Sequence, residues 1–522
     1  MMRKNVSLKV RVFCTALALS TLVGCQSAPS TDTGQTAAPS QGQSSSGGYK
    51  DEIVFAPKLS FDTMDVQNCV STSTKSVYIW VYNTLVEKDT GTNTLAPSLA
   101  ESWEQVSDTV WEFKLRQRVK FHNGSDFTAK DVKFTYERGK TQGASKPRLD
   151  SMESVEVVDD YTVRITLNQP DMDFIYKITD PNLVILSQEA FDTMSEEEAN
   201  QIGTGAYRYE EWKHGEYVSV TANPDYWGGE PKTRRIVVRT IPEEAARLIA
   251  LQTGEVDMIQ SPASTDLGYI ADDPKLTLAQ YPSSTVRYLG LNTTEAPFDN
   301  PKVRQAVAYA INRDELIAAV YQGNAMEMRN VMHPDNEFFT EVEGYSYNAE
   351  KAKSLLEEAG YADGFTINMI SNQAVNDVAI CTIVQSQLAK FGITVNLQSM
   401  ESATFNAAIA EGKGYQLMVS GWSGYTIGPD NALRSILHTD GRINYTNVSD
   451  PYIDKTLDEA RIISDPDERK ALYGELEEYM TNLAAFYPIA VEMLDLGMKA
   501  DVQGMTLPNG AILDFRNVYI PQ

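Results

Sequence analysis

A serine flanked by glycines and aromatic residues lies in the segment GYQLMVSGWSGYTIGPDN, residues 414–431. An apolar run typical of a strand leads into it, so the serine could be a nucleophile or part of a wall that contacts a ligand. A nucleophile elbow has the pattern Gly-x-Ser-x-Gly, because its sharp turn requires small residues on both sides of the serine. Gly421 precedes Ser423 at the right spacing, but Tyr425 occupies the position of the second glycine. The segment therefore departs from the nucleophile pattern.

A nucleophilic serine also needs a general base, for which histidine is the usual residue. The chain contains four histidines, none of them in a recognisable triad context: His122, His214, His333 and His438. We therefore predict no catalytic residue and no enzymatic activity. Two interpretations of the segment stay open at this point: a buried strand followed by an ordinary turn, and a ligand-contacting wall.

The first 25 residues have the pattern of an export signal. Four basic residues precede an apolar stretch, residues 12–23, that is too short to span a bilayer as a mature helix. The stretch ends in Leu-Val-Gly-Cys, which resembles a bacterial lipobox. This resemblance implies cleavage before Cys25 and thioether lipidation of that cysteine. We expect a lipoprotein signal peptide over residues 1–25 and a protein anchored in membrane lipid at the extracytoplasmic face of the bacterial cell membrane.

Residues 26–48 consist almost wholly of Ser, Thr, Gln, Gly, Pro and Ala. Such a segment cannot bury enough apolar surface to offset its ordering entropy, so we predict a disordered tether. From residue 49 onwards the composition is that of a globular protein, and the length allows about two or three domains. No later stretch approaches the run of about eighteen apolar residues that a transmembrane helix needs.

The chain is strongly acidic, with a formal net charge of −26. Loss of the four basic residues of the signal would leave 41 basic against 71 acidic side chains, a net charge of about −30. An anionic surface of this size disfavours nucleic acid as a partner and argues against a polyanionic ligand. It also keeps a protein soluble outside the cell.

Cysteine and metal-binding patterns are sparse. Cys14 would leave with the signal and Cys25 would be lipidated, so only Cys69 and Cys381 could form a disulfide, which their wide separation disfavours. The chain has no C-x-x-C, no H-E-x-x-H and no calcium-loop pattern. We therefore predict neither a metal site nor a cofactor.

Hydrophobic periodicity divides the rest of the chain into β-rich and α/β parts. Apolar residues alternate with charged ones over residues 100–170, which predicts half-buried antiparallel strands. A strand, a helix and a strand follow closely over residues 235–259, a spacing that implies a parallel, right-handed crossover. A predicted strand at residues 285–292 leads into a second α/β part, in which Asn300 and Pro301 start a helix.

Several stretches together resemble the family 5 extracellular solute-binding proteins, which are the dipeptide, oligopeptide and nickel-chelate receptors of ABC importers. The matching stretches are LAPSLAESWEQVSDTVWEFKLRQRVKFHNGSDFTAKDVKFTYER (residues 95–138), GTGAY with NPDYWGG, LQTGEVDMI, LNTTEAPFDNPKVRQAVAYAINRDELI, KAKSLLEEAGY and GWSGY. They occur in family order and extend across nearly all of the chain after the tether.

The resemblance implies an α/β, two-lobed periplasmic-binding-protein fold (type II, hinged) with an additional, mainly β subdomain inserted in lobe I. Projected onto this chain, lobe I takes residues 49–290 and 494–522, its insert takes residues 87–201, and lobe II takes residues 291–493. The implied function is capture of a peptide or related small solute between the lobes, for delivery to an ABC permease. The implied protein is a monomer. A ligand sensor and a secreted hydrolase are the open alternatives.

By the same resemblance, Gly421 and Trp422 lie at the cleft between the lobes, where the glycine allows close backbone approach and the indole forms a wall. Ser423 is then able to hydrogen-bond a ligand. Peptide-binding relatives have Gly-Trp-x-x-Asp, whose aspartate pairs with the α-ammonium of the ligand, but this chain has Tyr425 there. Tyrosine is neutral at pH 7 and cannot form that charge-assisted bond.

Either another acid, such as Asp430 or Glu401, pairs with the ammonium, or the ligand is not an ordinary free-amine peptide. Receptors for nickel chelates, opines, sugars and modified peptides share the fold, so the substrate class stays open. The predicted ligand-binding residues are Gly421, Trp422, Ser423, Tyr425, Asp430, Glu401, Ser402, Asn68 and Cys69.

Overall fold

The computed structural model describes residues 48–89, 92, 94–423, 428–506 and 512–522. The predicted signal peptide with Cys25, nearly all of the predicted tether, and Tyr425 lie outside the described residues. Within the described part, no helix is long and apolar enough to cross a membrane.

The strands are numbered in chain order: β1 (Glu52–Ala56), β2 (Val86–Lys88), β3 (Leu95–Pro97), β4 (Ala100–Ser107), β5 (Val110–Leu115), β6 (Met152–Asp159), β7 (Thr162–Leu167), β8 (Tyr207–Lys213), β9 (Tyr217–Ala222), β10 (Arg235–Arg239), β11 (Met258–Gln260), β12 (Leu276–Leu291), β13 (Ala325–Glu327), β14 (Phe365–Asn372), β15 (Ile393–Met400), β16 (Leu417–Trp422) and β17 (Phe486–Lys499).

The helices are α1 (Thr72–Val81), α2 (Ala129–Gly139), α3 (Phe174–Lys177), α4 (Gln188–Thr193), α5 (Glu196–Ala199), α6 (Glu244–Thr253), α7 (Leu267–Asp272), α8 (Pro301–Ala310), α9 (Arg313–Tyr321), α10 (Ala349–Glu358), α11 (Val375–Ala389), α12 (Ser402–Glu411), α13 (Pro429–Leu437), α14 (Pro451–Ile462) and α15 (Pro466–Leu483).

One large mixed sheet runs through both lobes in the order β15-β14-β16-β12-β17-β11-β1-β10-β9-β8, with β13 paired to β17. Its lobe II end holds the parallel strands β14, β15 and β16, and its lobe I end holds the parallel strands β1, β10 and β11. Helices cover these parallel strands because a crossover between parallel neighbours must pass over a face of the sheet. The structure thus confirms the predicted α/β, two-lobed fold.

Two long antiparallel strands, β12 and β17, connect the lobes. Residues 276–282 of β12 pair with residues 493–499 of β17 in lobe I, whereas residues 286–291 pair with β16 and with the first half of β17 in lobe II. Between these halves the register breaks, so that residues 283–285 lie opposite Glu492. The predicted lobe boundaries, 290/291 and 493/494, fall inside these two strands and stay predictions.

The sequence pattern placed a strand at residues 285–292, but β12 begins at Leu276. Its first half was missed because residues 279–285 are mostly half-buried and include Pro282 and two serines, so they lack a clear apolar alternation. Pairing with β17 on one side holds this half in the sheet.

Residues between β2 and β8 form a separate, mainly β part with its own hydrophobic core. Its four-stranded antiparallel sheet has the order β4-β5-β7-β6. Trp111, Phe113 and Leu115 alternate inward from β5, with 5%, 0% and 2% of their surfaces exposed. We call this part the insert.

Candidate functional site

The parallel strands of lobe II end together at one edge of the sheet. β14 ends at Asn372, β15 at Met400 and β16 at Trp422. In open α/β sheets, ligands bind outside the carboxyl ends of the strands. Glu401, Ser402 and Ser423 directly follow two of these strands and are exposed. The fold therefore brings five of the predicted ligand-binding residues to one edge, namely Gly421, Trp422, Ser423, Glu401 and Ser402.

Asn68 and Cys69 lie in the loop that follows the carboxyl end of β1 in lobe I. The Asn68 amide donates to Asp65 at 2.7 Å and accepts from the backbone N–H of Gly143 at 2.8 Å, which ties this loop to the insert. Cys69 is 2% exposed within the lobe I core. Burial raises the pKa of its thiol, which therefore stays protonated. Asn68 is exposed, whereas Cys69 has almost no surface for a ligand to touch.

Both cysteines of the described chain are free, and each is buried in the core of a different lobe. Cys381 lies on α11 in lobe II, where burial raises the pKa of its thiol to about 12. Cys69 and Cys381 therefore form no disulfide in this structure.

Gly421 is packed against side chains of β12. It pairs with Arg287, and a Cβ built on the glycine would lie 2.8 Å from Thr285 Cγ2 and 3.2 Å from Arg287 Nη1. A side chain at this position would therefore collide with its own neighbours. The absence of a side chain at Gly421 therefore allows β12 to pack closely against β16, with or without a ligand.

A charged cluster that sequence analysis missed surrounds Arg287. Its Nη1 lies 3.1 Å from an oxygen of Asp377, and its Nε donates to Glu492 at 3.1 Å. The amide of Asn372 donates to Asp377 at 2.7 Å, and the hydroxyl of Tyr321 donates to Glu492 at 3.3 Å. Burial raises the pKa of Asp377, which the guanidinium partly offsets. These residues come from five separate elements, so no local spacing could have indicated the cluster.

The indole of Trp422 is half-buried. Its Nε1 donates to the carbonyl of Ala432 at 2.7 Å, and its ring packs against the lobe II core beneath α13. The family resemblance implies that this ring forms a wall of the cleft. In the structure it also joins the end of β16 to the first turn of α13.

Position 425 is a tyrosine, so Asp430 and Glu401 were the two acids predicted to pair with a ligand ammonium. They differ in whether a ligand can reach them. Asp430 is 3% exposed, and its oxygens accept from Arg434 Nε at 2.9 and 3.1 Å. Burial raises the pKa of Asp430 to about 6. Glu401 is exposed and caps α12 by accepting from the backbone N–H of Ala403 at 3.0 Å. Only Glu401 is accessible to a ligand ammonium without a rearrangement.

Two of the four histidines, His122 and His438, are held by protein contacts. His122 is bonded through Nδ1 to the N–H of Gly203 and through Nε2 to the carbonyl of Gly205, and burial lowers its pKa to about 4. His438 lies within 3.8 Å of Asp454 and of Asp458. Among the described residues, no group of three or more His, Cys, Asp or Glu side chains has an arrangement that could hold a metal ion.

Comparisons with known proteins connect this architecture to one family. The family model for bacterial extracellular solute-binding proteins, family 5 (middle), matches residues 94–444. Heme-binding protein A of Haemophilus influenzae is 33% identical over 445 residues, which cover 78% of this chain and 81% of the relative. The glutathione-binding protein GsiB of Salmonella paratyphi A is 31% identical over 461 residues, 85% of this chain and 89% of the relative. The solved structure of HbpA2 from Haemophilus parasuis superposes with a TM-score of 0.83 at 29% identity, over 90% of this chain and all of that one.

Proposed function

The chain belongs to the bacterial extracellular solute-binding proteins of family 5, and from that premise we propose that it is a membrane-anchored receptor for a small solute. It captures the solute between its lobes and delivers it to the permease of an ABC importer. The observation that carries this proposal is an arrangement of two lobes joined by β12 and β17. Predicted ligand-binding residues lie at the carboxyl ends of the parallel strands β15 and β16 in lobe II. The proposed receptor acts as a monomer and catalyses no reaction.

Closure of the lobes around the solute is the proposed working step. The register break in β12 opposite Glu492 interrupts the ladder between the lobes, which makes it the natural place for bending. A solute can drive closure only by its higher affinity for the closed form. The closed form is then what the permease recognises.

The ligand class follows from the acids at the cleft. Relatives of this chain are named for binding heme, glutathione and dipeptides. Tyr425 supplies no negative charge, and Asp430 is occupied by Arg434. We therefore propose a peptide-related solute whose α-amine is modified or absent, or one whose ammonium pairs with exposed Glu401. A metal chelate, an opine or a sugar is the alternative class.

Anchoring is proposed through Cys25. Lipidation of this cysteine, followed by the polar tether of residues 26–48, would hold the lobes at the extracytoplasmic face of the membrane. The diacylglycerol and the additional acyl chain together provide the several chains that stable anchoring requires.

The test is mass spectrometry of the compound released from gently purified full-length protein, followed by binding of that compound to the stripped protein. We expect one class of small solute, bound reversibly and recovered unchanged. Recovery of a cleaved product would favour a hydrolase. Normal uptake of the solute by cells that lack the protein would favour a sensor.

A further inference from the structure

Residues 169–176 of the insert, which follow β7, contact lobe II. The backbone N–H of Met172 donates to the carbonyl of Arg461 at 3.0 Å, and Tyr176 bonds through its hydroxyl to Glu337. Arg461 lies at the end of α14, and Glu337 lies in the loop before α10. The segment is therefore held by two different parts of lobe II.

Two ion pairs with buried aspartates form the centre of this contact. Arg469 of α15 donates to Asp173 at 2.5 Å, and the side chains are 3% and 0% exposed. Arg461 lies 3.2 Å from Asp171, whose side chain is also 0% exposed. Charges buried this deeply are tolerated only when they are paired and hydrogen-bonded. The insert contributes the aspartates and lobe II contributes the arginines, so the two sides are electrostatically complementary.

Asp173 also reaches the segment predicted to contact the ligand. Its second carboxylate oxygen accepts from the backbone N–H of Asn431 at 3.1 Å, in the first turn of α13. Gly428, just before that turn, comes so near that a Cβ on it would lie 2.5 Å from the same oxygen. The first turn of α13 is thus bonded to Asp173 of the insert and, through Ala432, to Trp422.

Asp171 and Asp173 differ in whether they have a cationic partner within the insert, and Lys177 is the residue that makes the difference. Its ammonium lies 2.8 Å from Asp171, so Asp171 keeps a partner inside the insert. Asp173 has only lobe II donors for its side chain among the described residues: Arg469 and the N–H of Asn431. Separation of the lobes therefore removes both hydrogen-bond donors to the Asp173 side chain that the structure shows.

We propose that Asp173 is a positioning residue that couples closure of the lobes to the placement of the ligand-contacting segment. One carboxylate binds Arg469 and the start of α13 together, so the insert cannot dock on lobe II without fixing residues 428–431. This inference rests on the proposed function, since it assigns Asp173 a role in closing the same cleft. The ligand and the Asp173 contact then favour the same closed form.

Hydrogen–deuterium exchange of the full-length protein without added solute tests the coupling, because it reports local opening directly. In Asp173→Asn we expect exchange to become about tenfold faster in residues 428–437 and in residues 169–177, with the β14 and β1 cores unchanged. The matched control is Asp180→Asn, which removes a carboxylate that is 6% exposed and pairs with Lys75 and Arg148, away from lobe II. This control should leave residues 428–437 at the wild-type rate.

Unchanged exchange in residues 428–437 of folded Asp173→Asn would overturn the proposal, as would the same acceleration in Asp180→Asn. If Asp173→Asn does not fold, Tyr176→Phe serves instead, because it removes the bond to Glu337 across the same contact without leaving a charge unpaired. It should accelerate exchange in residues 428–437 to a smaller extent, and no change there would also overturn the proposal. Neither result depends on which solute is bound, so failure of the coupling and failure of the proposed function are separate outcomes.

Discussion

The indole N–H of Trp422 donates to the carbonyl of Ala432 at 2.7 Å, so the end of β16 and the first turn of α13 are joined by one side chain. An indole that only lined an open cleft would contribute little to the stability of the fold. Because this ring is half-buried against the lobe II core, it contributes both to the fold and to the edge where the strands end.

Replacement of Trp422 separates these contributions. Trp422→Phe keeps an aromatic ring but removes the hydrogen bond, and we expect a loss of about 1 kcal/mol in the free energy of unfolding. Trp422→Ala also removes the packing, and we expect a loss of about 2–3 kcal/mol, below the cost for a fully buried tryptophan. Urea unfolding measures both values. Wild-type stability of Trp422→Ala would restore the view that the ring is an open wall.

Gly421→Ala should be destabilising because the new Cβ would lie 2.8 Å from Thr285 Cγ2. We expect a loss of about 1–3 kcal/mol, typical of overpacking. Thr285→Ser removes that methyl group, so the double variant should regain most of the loss. Gly268→Ala is the control, because nothing lies within 4 Å of a Cβ at Gly268. A double variant no more stable than Gly421→Ala would show that the new Cβ destabilises the protein through its contact with Arg287 and not with Thr285.

Glu477 should make the stability of lobe II depend on pH. It is 3% exposed, and burial raises its pKa from 4.5 to about 7 although it accepts from the N–H groups of Val331 and Met332. The folded state therefore binds the proton more tightly than the unfolded state does. The contribution of Glu477 to stability is largest below pH 4.5 and is lost as the pH rises through 7, by about 3 kcal/mol in all.

Glu477→Gln removes this titration. We expect the stability of the variant relative to wild type to increase by about 2.5 kcal/mol between pH 5 and pH 8, measured by urea unfolding across that range. Glu478→Gln, on the exposed side of the same helix, is the control. A difference between Glu477→Gln and wild type that is the same at both pH values would contradict the prediction.

Tyr425→Asp should restore the recognition of a free α-ammonium if the surrounding geometry resembles that of the peptide receptors. We expect unmodified di- and tripeptides to bind the wild-type protein weakly and the variant more tightly, because a carboxylate can form the missing charge-assisted bond. Calorimetric titration with a dipeptide and its N-acetylated form measures the effect. Tight binding of the free dipeptide by wild type, lost on acetylation and in Glu401→Gln, would show that Glu401 already does the pairing.

Cys25→Ser should detach the protein from the membrane. The polar tether has no membrane affinity of its own, so the variant should be exported and released or retained in uncleaved form. Fractionation and the mass of the N-terminal peptide distinguish these outcomes from wild type. Complete membrane retention after normal processing would refute lipidation at this cysteine.

Local patterns in the sequence were sufficient to predict the fold class, because helix starts and strand alternation depend on residues that are near one another along the chain. Asn300 and Pro301 predicted a helix start, and α8 begins there with Asn300 accepting from the N–H of Lys302 at 3.0 Å. Alternation over residues 100–170 likewise predicted the antiparallel strands of the insert. Capping and strand periodicity depend on residues only a few positions apart, so the sequence alone specifies them.

The sequence by itself thus determined the α/β class, the β-rich insert and the family. The tertiary structure alone decided that β12 extends back to Leu276 and that Arg287 joins Asp377 and Glu492. It also decided the pairing of Asp173 with Arg469, residues 296 positions apart. These contacts arise only when distant elements pack, because the burial that makes a charge require a partner does not exist until the lobes have formed.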